Sequence, residues 1–142
     1  MKKLNLILIL LAFAVQAAFL SPEATAQAKA AKTEVSQKIE VYYFHYSRRC
    51  ASCIAVEEEA ERSLKALYPK AVEQGMVTFI SVNIEEANNA PLMKSLGVQG
   101  QTLLVVSGDN QENITNAGFL HARSNTDKFR KTLKESVAKV QS

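Results

Sequence analysis

The spacing of apolar positions along the chain changes several times, and each change marks an element. Leu4 to Leu20 is a nearly unbroken apolar run, interrupted only by Asn5 and Gln16. Residues 27–37, QAKAAKTEVSQ, are polar and alanine-rich with no apolar stripe. Ile39 to Phe44, IEVYYF, puts β-branched and aromatic residues on both parities, which predicts a strand covered on both faces. From Cys50 the period lengthens. Cys53, Val56, Ala60, Leu64, Leu67 and Ala71 recur at steps of three and four, one stripe of an amphipathic helix. Glu57, Glu58, Glu61, Arg62 and Lys65 fall on the other side, with Glu58–Arg62 and Glu61–Lys65 in the favourable i,i+4 order. The run Glu57-Glu58-Glu59 reads as a solvated face. Pro69 ends or bends the helix, and Gly75 fits a stop one turn later.

Met76 to Asn83 predicts a second strand, and Pro91 to Leu96 a short helix ended by Gly97. Thr102 to Ser107 predicts a third strand. Gly108-Asp109-Asn110 is a turn, Asn113 to Asn116 a short returning edge strand, and Gly118 its break. Thr126 or Asn125 caps a last helix with a stripe of Phe129, Leu133, Val137 and Val140. The order β-α-β-α-β-β-α predicts an α/β domain with a mixed four-stranded sheet and helices on both faces. The intervening helices favour parallel pairing of the first three strands, and the tight turn favours a hairpin of the last two.

The N-terminus reads as an export signal. Lys2 and Lys3 precede the apolar run, Ser21-Pro22-Glu23 closes it, and Ala24-Thr25-Ala26 supplies the small residues of a cleavage site. The expected organisation is a signal peptide over 1–26, a flexible tether over 27–37 and one domain over 38–142. The expected location is the periplasm, or the outer side of the inner membrane if the signal stays uncleaved. Losing residues 1–26 removes Lys2, Lys3 and Glu23. Lys+Arg then falls from 17 to 15, Asp+Glu from 14 to 13, and the net charge from +3 to +2. So mild a balance points away from nucleic acid as a partner.

Both cysteines lie in Cys50-Ala51-Ser52-Cys53, with none left for a structural bridge. A two-residue gap closes a very short loop and restricts the unfolded chain little, so redox exchange is the better use of the pair. The motif falls where a strand hands over to a helix. Unpaired N–H groups and the positive end of the macrodipole favour an anion there. Arg48 and Arg49 add positive charge just before Cys50. These features assign Cys50 as nucleophile and Cys53, on the apolar stripe, as resolving thiol. His45 reads first as a hydrogen-bonded residue at the strand's end. The alternative is a soft-metal or arsenite site of Cys50, Cys53 and His45, with His121 a remoter candidate. Tyr42, Tyr43 and Tyr46 read as strand packing.

These residues resemble the thioredoxin-like superfamily over 38–140. The resemblance is carried by IEVYYF, the CASC motif at the helix start, FISVN, Leu96-Gly97-Val98, TLLVV at 102–106 and Gly118 before the last helix. It implies the fold and a thiol–disulfide role with a protein thiol or redox subunit as partner. Three positions depart from the family. Arg49 stands where a tryptophan precedes the first cysteine, Phe44 where many members carry a buried acid, and Gln101 where a cis-proline faces the dithiol. The string Tyr43-Phe44-His45 followed by RRCASCIAVE at 48–57 is also similar to a small bacterial group named nitrophenyl-compound nitroreductase subunit, of the ArsF kind. That likeness implies a redox subunit of a nitroaromatic or arsenical reductase system. No flavin or nicotinamide fingerprint accompanies it, so no cofactor is expected in the chain and a partner would supply electrons. A third reading is an interaction subunit in which the dithiol is incidental.

Overall fold

In a computed structural model of the protein, residues 35–142 are described. The expected signal peptide and most of the expected tether lie outside them. The element order is β1 (Ile39–His45), α1 (Ala51–Leu67), α2 (Pro69–Glu73), β2 (Val77–Asn83), a 3-10 turn (Ala87–Asn89), α3 (Ala90–Ser95), β3 (Thr102–Ser107), β4 (Asn110–Asn113), α4 (Thr115–His121) and α5 (Thr126–Val140). The four strands form one mixed sheet in the order β2-β1-β3-β4. This is the expected α/β architecture, a thioredoxin-like arrangement.

The sheet buries unequal cores on its two faces. Ile39, Val41 and Tyr43 of β1 join Leu103 and Val105 of β3 beneath α1 and α5. Val56, Ala60 and Leu64 of α1, and Phe129, Leu133, Val137 and Val140 of α5, close that face, as their helical spacing predicts. Asn125 caps α5, its Oδ1 accepting from the Lys128 N–H at 3.0 Å. On the other face Tyr42, Phe44, Val82, Leu104 and Val106 meet Val98 and the partly buried Leu92, Met93 and Leu96.

Strand pairing differs from expectation at β3. β1 and β2 are parallel, with His45 opposite Asn83. β3 is antiparallel to β1, with Phe44 opposite Thr102. The reason lies in the connection at 84–101. Its helix α3 has six residues, about 9 Å of rise. A seven-residue strand spans about 23 Å, so such a helix does not carry the chain back along the sheet. β3 therefore begins at the end where β2 stops, and both ends lie beside the start of α1.

A second difference follows β4. Gly108, with φ +57°, and Asp109 form a two-residue hairpin loop, so the return strand is Asn110–Asn113 rather than 113–116. The chain then bends into a helix, because Asn113 Oδ1 accepts from the Thr115 N–H at 3.1 Å in an Asx turn. Thr115 Oγ1 in turn accepts from the Leu103 N–H at 2.9 Å. Gly118 breaks no strand. It is a buried position inside α4 where an added Cβ would sit 3.2 Å from Val56 Cγ1 and 3.4 Å from Leu103 Cδ2. Its small size lets α4 lie against α1 and β3.

Residues just before β1 also make contacts with the domain. Val35 packs against the core, the Ser36 N–H donates to Gln141 Oε1 at 2.8 Å, and Ser107 Oγ donates to Gln37 Oε1 at 3.2 Å. The domain's own contacts thus reach back to Val35. Among the described residues no helix is long and apolar enough to cross a membrane.

Candidate active site

The end of β1 leads through Tyr46 to Arg49 into α1, and the dithiol sits at that junction. Cys50 is the N-cap of α1, in extended backbone. Cys50 and Cys53 are bonded as a disulfide with Cα atoms 5.0 Å apart, within the ordinary range for such a bridge. Cys50 is exposed, whereas Cys53 is 8% exposed on the buried side of the helix. The Cys53 backbone N–H donates to Cys50 Sγ at 3.1 Å. A helix end leaves such donors without a carbonyl partner, and the cysteine sulfur takes one as a capping oxygen would. The same donor would serve the sulfur as a thiolate after reduction. No acidic residue occupies the first turn of α1.

Arg49 and Gln101 meet at one ring. The Arg49 guanidinium lies over Tyr43, 5.9 Å from the ring centroid, and forms an ion pair with Glu57. Gln101 Nε2 donates to Tyr43 Oη at 2.7 Å. Burial raises the Tyr43 pKa, while the Gln101 hydrogen bond and the nearby Arg49 charge act in the opposite sense. Gln101 therefore fixes the segment before β3 to the tyrosine beneath Arg49. Among the described residues no peptide bond is cis.

The other candidates are placed differently. Arg48 is exposed. His45 bonds its Nδ1 to the Tyr46 carbonyl at 2.9 Å, the N–H donating, and its ring lies 5.9 Å from that of Tyr43. His121 ends α4. Among the described residues no three His, Cys, Asp or Glu side chains gather into a group able to hold a metal.

Several contributors were not singled out in the sequence. Glu59 is buried, 2% exposed, rather than solvated with Glu58. It accepts from Arg62 Nη1 at 2.5 Å and Ser63 Oγ at 3.0 Å, and Arg130 of α5 lies 3.5 Å away. Arg62 thus pairs with Glu59 and not with Glu58, while Glu61–Lys65 forms as expected at 2.7 Å. Glu85 holds the active-site loop, its carboxylate accepting from the Ser47 N–H at 2.7 Å. Those hydrogen bonds from Ser47 lower the Glu85 pKa. Asn83 Nδ2 also donates to Ser47 Oγ at 2.9 Å. Tyr46, read from the sequence as strand packing, instead lies beyond the end of β1, 46% exposed with its hydroxyl beside Gly100, and Ile54, 42% exposed, follows Cys53. Glu57 alone carried a usable signal, since it stands one helical turn after Cys53.

Comparison of the chain with known proteins yields no match to a family model and none to a curated protein. The function therefore rests on the site itself. Its chemistry is that of a vicinal thiol pair at disulfide distance, one sulfur accessible and one sheltered.

Proposed function

We propose that the protein is an exported thiol–disulfide oxidoreductase working through Cys50 and Cys53. The observation that carries this reading is the asymmetry of the pair. Cys50 is exposed at the N-cap of α1 and Cys53 is buried one turn inside.

Starting from the disulfide, a partner thiolate attacks Cys50 Sγ. A Cys50–partner disulfide forms, the Cys50–Cys53 bond breaks, and its electron pair leaves on Cys53. A second partner thiolate then attacks the partner's own sulfur and releases Cys50 as a thiolate. The partner is oxidised by two electrons and the dithiol reduced by two. In reverse, the Cys50 thiolate attacks a partner disulfide and Cys53 displaces the partner from Cys50. Export is supported by the Lys2-Lys3 flank, the apolar run and Ala24-Thr25-Ala26. The likeness of Tyr43-Phe44-His45 and RRCASCIAVE to the ArsF kind supports a place as redox subunit in a nitroaromatic or arsenical reductase system, fed with electrons by a partner protein.

The test is trapping with oxidised glutathione. Cys53→Ser, which keeps the exposed sulfur, is expected to form a stable glutathione adduct at Cys50. Cys50→Ser, left with the sheltered sulfur, is expected to react slower by about tenfold or more. Equal rates would overturn the assignment.

A further inference from the structure

The Arg49–Glu57 ion pair brackets the dithiol. Arg49 immediately precedes Cys50, and Glu57 follows Cys53 by one turn. Side chains at i and i+4 are neighbours on a helix, with Cβ atoms about 5–6 Å apart. Helical side chains also lean toward the N-terminus. To reach Arg49 the Glu57 carboxylate therefore lies over the turn that holds Cys53. Both side chains are sheltered, 24% and 20% exposed, so solvent screens them less than an ordinary surface pair. Tyr43 supports the guanidinium from below.

We propose that this pair sets the redox poise of the dithiol, an inference that rests on the oxidoreductase reading above. Arg49 favours the thiolate at Cys50, and Glu57 limits that effect while disfavouring charge at Cys53. Both are positioning residues that act through the sulfurs. The other charges around the junction are differently engaged. Arg48 is exposed, His45 bonds the Tyr46 carbonyl, and Arg62 and Arg130 face Glu59. A thiol–disulfide couple becomes more oxidising as its thiolate is stabilised, because the reduced form gains.

The experiment measures the equilibrium of the purified protein with a glutathione redox buffer at neutral pH. Glu57→Gln frees the Arg49 charge and is expected to shift the equilibrium toward the dithiol, on the order of fivefold, the size of a partly exposed charge contact. Arg49→Gln is expected to shift it toward the disulfide by about as much. Arg49→Lys keeps the charge and is expected to stay near the parent protein. Each of the first two variants breaks the same ion pair, so a purely structural role would move both the same way. Shifts of the same sign, or none in either, would overturn the proposal. A parent disulfide that fails to equilibrate with glutathione at all would overturn the oxidoreductase reading as well, which separates the two failures.

Discussion

The two faces of the sheet are built to different depths. One carries α1, α4 and α5 with α2 at its margin, with Tyr43, Val56, Phe129 and Leu133 fully enclosed and α4 so close that a Cβ at 118 would sit 3.2 Å from Val56 Cγ1. The other carries α3 alone over Tyr42, Phe44, Val82, Leu104 and Val106. The site straddles them. Its sulfurs ride on α1, fixed by the deep face. The segment 97–101 opposite is held by the Val98 N–H to the Met93 carbonyl at 2.8 Å, by Gln101 to Tyr43 and by Thr102 Oγ1 to the Gly100 carbonyl at 3.0 Å, with Tyr46 resting beside Gly100. The sulfurs ride on the helix of the more deeply buried face, and the segment opposite them belongs to the less enclosed one.

The largest effect that could break this comparison is on stability. Leu133→Ala in the deep core is expected to cost about 3–5 kcal/mol in urea unfolding, whereas Leu92→Ala, in α3 itself and only partly buried, costs below about 2 kcal/mol. Equal losses would show that the faces are equivalent. Gly118→Ala comes next, at about 1–3 kcal/mol, because the new methyl must displace Val56.

How far the sequence reveals these features depends on the kind of signal each leaves. IEVYYF and the Cys53–Val56–Ala60–Leu64 stripe announce β1 and α1, because burial on two faces and on one stripe leaves different periods. The direction of β3 leaves none, since residues 84–101 are numerous enough for a crossover and only the brevity of α3 prevents it. Glu59 looks like its neighbours in a run of three. Its burial is decided by Ser63 and by Arg130, which lies 71 residues away. Gly118 reads as a breaker because a need for flexibility and a need for space select the same residue. At the site, the strand-to-helix position and the inner and outer cysteines are readable from the motif. The Arg49–Glu57 pair is not, because Arg49 precedes the helix and escapes its periodicity.

Smaller effects sharpen the contrast through pH. Tyr42 on the shallow face and Tyr68 on the deep face are each raised from 10.0 to about 12, chiefly by burial. A value raised in the folded state means that the stabilisation is complete below pH 10 and is lost as pH rises toward 12. Unfolding between those limits should therefore become easier, and Tyr42→Phe or Tyr68→Phe should each flatten the profile. The smallest effect concerns Glu85. Its lowered pKa places the Ser47 clamp above the usual carboxylate range, and the clamp is lost as pH falls through that lowered value. Amide exchange at Ser47 should rise at acid pH, once the intrinsic rate is subtracted, and Glu85→Gln should abolish the change.

The most direct test of the central claim is the order in which the two thiols react. The reduced protein is exposed briefly to iodoacetamide at neutral pH, and the labelled cysteine is located by mass spectrometry. Cys50, exposed and capped by the Cys53 N–H, is expected to label faster than Cys53 by about tenfold. Equal labelling, or Cys53 first, would contradict the account.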